Sequence, residues 1–169
     1  MGLFRRNKDK QVKPPNKKVV IGFLVLFGIA FLYLTIRQWG DPLATVRIRE
    51  AVVTVDIANS AKEQQLGLGG RLLLKNGEGM LFVFAEPGQK GFWMKGMHFP
   101  IDIVWIFQGK IVDIAPEVPA PAHPDTPESE LPRYFPRLPA DMVLEVPAGY
   151  AIANGWKIGD PVIIQFDKE

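Results

Sequence analysis

The chain has no cysteine among its 169 residues. Disulfides, cysteine-ligated zinc, iron–sulfur centres and thiol catalysis are therefore excluded together. The absence does not place the compartment. Histidine is nearly missing too: His98 and His123 are the only two. His123-Pro124-Asp125 can supply metal ligands only with a distant third, and no nucleophile–histidine–acid set is recognisable. The Gly-rich stretch Gly67-Leu68-Gly69-Gly70 lacks the Gly-Lys-Ser/Thr ending of a phosphate-binding loop. No internal repeat is present. Without staples, the fold has to be held by packing, and residues 46–169 are enough for a core.

Net charge is also small, at +2, but it is unevenly placed. Arg5, Arg6, Lys8, Lys10, Lys13, Lys17 and Lys18 crowd the first 18 residues against one acid, Asp9, so the remainder of the chain is acidic. The pI near 8.9 belongs to this tail. It does not argue for nucleic-acid binding, and no nucleic-acid partner is expected.

Val19 to Ile36 is free of charge and apolar on every face. At about 1.5 Å per residue it reaches roughly 27 Å, close to a bilayer hydrocarbon core. Tyr33 and Trp39 fall near its far end, where aromatic rings favour the interface. The stretch after it, Leu34-Thr35-Ile36-Arg37, makes a poor small-x-small cleavage site, so an uncleaved anchor is expected rather than a signal peptide. The expected organisation is a basic cytoplasmic tail (1–18), a transmembrane helix (19–36), a linker (37–45) and an extracytoplasmic domain (46–169). The protein would be single-pass in the cell membrane, with lipid as a partner of residues 19–36 and the domain outside, periplasmic or extracellular.

The outer domain reads as mainly β. Val46–Ile57 ends in strict alternation, with Val53, Val55 and Ile57 on one face. Ser60 and Glu63 have capping-box spacing before a short helix that Gly67 ends. Strands are predicted at 79–84, 91–95, 142–146 and 162–166. Ile101–Phe107 and Lys110–Ile114 form a hairpin through Gln108-Gly109, apolar on both faces and therefore central. Residues 115–140 hold eight prolines and read as extended, either a solvated excursion or a functional flap. Ala148–Asn154 reads as a turn or short helix. The predicted class is a small barrel-like or sandwiched β domain with one or two short helices, preceded by one transmembrane helix.

Several runs resemble one family in order. They are Leu66-Gly67-Leu68-Gly69-Gly70-Arg71, Glu78-Gly79-Met80-Leu81-Phe82-Val83-Phe84, Phe92-Trp93-Met94-Lys95 with Pro100-Ile101-Asp102-Ile103, and Leu144-Glu145-Val146-Pro147-Ala148-Gly149 with Ile158-Gly159-Asp160. Over about residues 52–166 the chain resembles domain of unknown function family 192. The resemblance implies a compact, barrel-like β fold and no reaction. The chain departs from the family where Gly96-Met97 replaces the usual Asn-Thr, and at Gly69, where a longer apolar side chain is common.

Three candidate constellations follow. If Gln108-Gly109 is a two-residue turn, Phe107 pairs with Lys110 and Val104 with Asp113. Asp102 then lies one diagonal step from Asp113, at roughly 7 Å. Such carboxylates can bind a cation or share acid–base work, or each can take a backbone donor or an arginine. Arg71 suits a carboxylate or phosphate ligand, or a structural partner in Asp102 or Asp113. Trp93, Met94, Met97 and Phe99 form an aromatic and methionine cluster, apt for an apolar ligand if exposed and for the core if not. The candidate ligand-binding residues are thus Arg71, Trp93, Met94, Asp102 and Asp113, with no cofactor and no metal implied. The expected function is binding of a small molecule, glycan or peptide in the cell envelope. The alternatives are docking onto another membrane protein and a hydrolase built on Asp102, Asp113 and Arg71.

Overall fold

The computed structural model describes residues 22, 24–29 and 44–166. Residues 24–29 are helical and exposed. Among the described residues no helix is long and apolar enough to cross a membrane. Most of the predicted span 19–36, the whole tail 1–18 and most of the linker lie outside them.

Residues 44–166 form one seven-stranded sheet. In chain order its elements are β1 (Ala44–Ile48), β2 (Ala51–Ala58), α1 (Ala61–Leu66), β3 (Glu78–Gly88), β4 (Ile101–Phe107), β5 (Lys110–Val118), β6 (Ala140–Pro147), α2 (Tyr150–Ala153) and β7 (Val162–Phe166). The strand order is β5-β4-β6-β3-β2-β1-β7. Only β2 and β3 pair in parallel, and α1 lies in their crossover. The sheet curls until its edges touch: Val162 N donates to Gly109 O at 2.8 Å, and Ile111 N and Gly159 N complete the join with Asp160 O and Ile111 O. This relieves part of the exposed-edge problem of an open sheet.

The alternation of side chains builds two cores on the two faces. The inner one holds Val46, Val53, Val55, Leu81, Val104, Ile106, Leu144 and Val146, closed by Ala151 and Trp156. The outer one holds Met80, Phe82, Phe92, Met94, Ile103, Trp105 and Val143. β4 and β6 are therefore covered on both faces, which explains their unbroken apolar runs.

Local signals in the sequence are realised where the chemistry is local. Ser60 Oγ accepts from Glu63 N while Glu63 Oε2 accepts from Ser60 N, and Gly67 ends α1. Gln108 and Gly109 both adopt positive φ (49° and 71°), as the mirror-image hairpin turn requires. Three expectations are corrected. Residues 46–57 are not one strand: the chain reverses at Arg49-Glu50, with Arg49 at φ 56° and its guanidinium clamped on Asp160 at 2.6 and 3.0 Å. Residues 91–95 are no strand, because only Phe92 bridges, to Tyr134. The linker ends earlier than 45, since Ala44 and Thr45 already pair with β2 and β7.

Candidate functional site

The predicted pairing of Asp102 with Asp113 is not formed. Phe107 does pair with Lys110, but an extra residue in β5 shifts the register, so Val104 faces Ile114 and Trp105 faces Asp113. Such a bulge moves every later side chain to the other face. Asp102 thus belongs to the inner face with Val104, and Asp113 to the outer face with Trp105. Each is fully occupied. Asp102 is wholly buried and accepts from Glu117 N (2.8 Å), Gly149 N (2.9 Å) and Ala151 N (2.8 Å). It ties the irregular end of β5 and the start of α2 to the barrel interior. Asp113 accepts from Arg137 N (2.8 Å) and from the Arg137 guanidinium (2.6 Å). That bond from Arg137 holds its carboxyl below the usual range and pins the end of the Pro-rich segment.

Arg71 pairs with Asp56 of β2 rather than with either predicted aspartate. Met94 is buried in the outer core, with 1% of its surface exposed. Trp93 is half-buried, with the Arg133 guanidinium 4.1 Å from its ring centre and Lys95 Nζ at 5.6 Å. Glu128 bonds both cations, so the Pro-rich segment is fastened over this ring.

Trp93 leads to the site that the sequence did not reveal. A cleft of about 460 Å³ opens on the outer face, within the range that takes small organic ligands. One wall is the end of α1 and the glycine stretch after it, Gln64 to Gly69. Gln64 Nε2 fixes that wall by donating to Val83 O at 2.8 Å. The opposite wall is the segment 89–97, carrying Lys90, Phe92, Trp93, Lys95 and Met97. It is held by Trp105 Nε1 donating to Lys90 O at 3.0 Å, and by paired backbone bonds between Phe92 and Tyr134. Phe82 and Phe84 of β3 supply the aromatic floor; the Phe82 and Phe92 rings meet edge to face at 4.8 Å.

The two walls meet at Gly69 and Gly96. A Cβ at Gly69 would stand 2.9 Å from Leu66 O and from Lys95 O. Gly70 N donates to Gly96 O at 2.9 Å. Met97 lines the cleft.

In this apolar setting sits one acid, Glu145 of β6, between Met80 and Ile103 on the neighbouring strands. Only 4% of its surface is exposed, and its Oε2 has no hydrogen-bond partner. Burial pushes its carboxyl up to about 8, against the opposing charge of Arg71. At neutral pH it is therefore an uncharged acid that can donate its proton to a bond. In the sequence Glu145 stands within the run Leu144-Glu145-Val146-Pro147. It is the one charged residue between Met142 and Val146, in a strand flanked by β4 and β3 and covered on both faces by apolar clusters.

The DUF192 family model, described as "Uncharacterized ACR, COG1430", matches residues 44–164. A protein of unknown function from Novosphingobium aromaticivorans has a similar crystal structure, with TM-score 0.62 and 27% identity over 72% of this chain and 83% of that one. A Sinorhizobium meliloti protein described as a "putative transcription regulator" is similar at TM-score 0.60 and 27% identity, over 71% of this chain and 90% of its own. No curated protein matches.

Proposed function

The chain belongs to the DUF192 family, whose description carries no activity, and from the cleft itself we propose that its β domain is a non-catalytic binding module for a small organic ligand or the end of a glycan or peptide. The observation that carries this reading is Glu145: a buried acid with an unpartnered oxygen, lining a cleft walled by Phe82, Phe92 and Trp93. An unsatisfied buried polar group costs about 1–3 kcal/mol, a cost that a ligand's hydrogen bond would remove. The separated, fully bonded Asp102 and Asp113 offer no paired acid and base.

The charge-free run 19–36 behind its basic tail supports anchoring in the cell membrane with the domain outside. The acidity of the chain beyond the tail opposes a nucleic-acid role. One observation favours a second reading, docking onto another membrane protein: Leu66 at the cleft wall and Leu72 and Leu73 just beyond it are 55%, 73% and 49% exposed.

Native mass spectrometry of the full chain, released from detergent micelles after incubation with an envelope extract, tests the binding reading. A reproducible added mass that Glu145→Leu abolishes supports it. A bare chain mass in both proteins overturns it in favour of docking, which crosslinking from positions 72 and 73 in intact membranes would then reveal.

A further inference from the structure

The ligand's chemistry can be narrowed, on the reading that the cleft is a binding site. The charged groups around Glu145 are Lys90, Lys95 and Arg71, of which Lys95 is paired with Glu128 and Arg71 with Asp56. Met80 and Ile103 flank it within the sheet. Lys90 and Lys95 line the cleft from the 89–97 segment. Arg71, itself paired with Asp56, lowers the acid's proton affinity from the glycine-rich side without overcoming burial. A cationic ligand would approach past Lys90 and would have to ionise Glu145 in an apolar floor, a desolvation that one charge–charge contact has to offset. A neutral acceptor needs neither. It accepts the carboxyl proton as a hydrogen bond and gives the carboxyl the partner it lacks, while its apolar body covers the aromatic rings.

We propose that the cleft selects a compact apolar or aromatic molecule bearing an uncharged hydrogen-bond acceptor, an amide or ester carbonyl, which Glu145 binds as a proton donor, and that it rejects the corresponding ammonium compound.

Two nearly isosteric probes separate these cases: 3-phenylpropanamide and 3-phenylpropylamine. The full chain, labelled with ¹³C on its five methionine methyls, is titrated with each. Met97 lines the cleft, and Met142, packed on the inner core, is the internal control. The expected result is a saturable shift of the Met97 methyl with the amide and binding at least tenfold weaker with the amine. Because the acid must hold its proton, the amide should bind about tenfold more weakly at pH 9 than at pH 6. Glu145→Gln keeps a neutral donor and should retain amide binding without that pH dependence, while Glu145→Leu should lose it with the Met142 signal unmoved. Tighter binding of the amine overturns the proposal but leaves the cleft as a binding site. Amide binding that is equal at both pH values also overturns it. Failure of both probes to move Met97 overturns it as well, and the extract experiment above then decides whether the cleft binds anything.

Discussion

Replacing Glu145 by glutamine should stabilise this protein, and by an amount set by pH. In the unfolded chain a glutamate releases its proton near 4.5; in the fold Glu145 releases it only near 8. Between those values the folded state holds one more proton than the unfolded state. Stability therefore falls as pH rises, by about 1.4 kcal/mol per pH unit. The loss begins near pH 4.5, is roughly 3 kcal/mol at pH 7, and levels off above pH 8. Glutamine keeps the shape and the uncharged state but has no proton to lose. The two proteins should be close in stability at pH 4.5 and roughly 3 kcal/mol apart at pH 7. With an ordinary urea dependence for a domain of this size, that is a midpoint difference of roughly 2 M. Glu63, Asp113 and Asp160 have lowered values; their contributions are present above the ordinary carboxylate range and are lost only as pH falls through their folded values. They act equally in both proteins and cancel in the comparison. Urea unfolding of the full chain in mild detergent, followed by tryptophan fluorescence at pH 4.5, 6, 7 and 8, measures the difference. Midpoints that stay the same distance apart at every pH would refute the reasoning, since Glu145 would then titrate alike in both states.

Other parts of the structure make their own predictions. Asp102→Asn turns an amide toward backbone N–H groups that now meet a carboxylate. It should destabilise the fold by about 3 kcal/mol in urea titration, with the remaining folded protein unchanged in the Met97 spectrum. Gly69→Ala forces a methyl against Leu66 O and Lys95 O and should cost about 1–3 kcal/mol in thermal unfolding while narrowing the cleft. Asp113→Asn releases the anchor at Arg137, so the Arg137 amide should exchange its hydrogen faster with no matching change in α1. In the unmutated protein the same anchor should hold at neutral pH and loosen as pH falls through the lowered Asp113 value. Phe92→Ala removes the ring that touches Phe82, Phe84 and Trp105, and should cost about 3–5 kcal/mol and widen the cleft.

The sequence announced those features that depend on neighbours along the chain. Ser60 and Glu63 cap a helix because three residues separate them. Gln108-Gly109 turns the hairpin because two residues in a row reach positive φ. The aromatic and methionine cluster divides between its two possible roles: Met94 and Met97 are buried in the core, whereas Trp93 is half-buried at the cleft wall. Features that depend on partners far along the chain stayed hidden. The break at Arg49-Glu50 carries none of the usual turn residues and is held instead by Asp160, over a hundred residues away. The extra residue in β5 leaves no trace in composition, yet it alone separates Asp102 from Asp113. Glu145 carries no signal of burial because alternation places it opposite Leu144, on what would ordinarily be the wet side of a strand. That side is dry only because residues 64–69 and 89–97 fold across it.

The most direct test is a ¹³C-carboxyl titration of Glu145 in the full chain, assigned by its loss in Glu145→Gln, without and with saturating 3-phenylpropanamide. Glu145 should release its proton near 8 in the free protein and higher still when the amide is bound, because the ligand favours the protonated form. Titration near 4.5, or a value that saturation leaves unmoved, would contradict the assignment of this cleft and its acid to ligand binding.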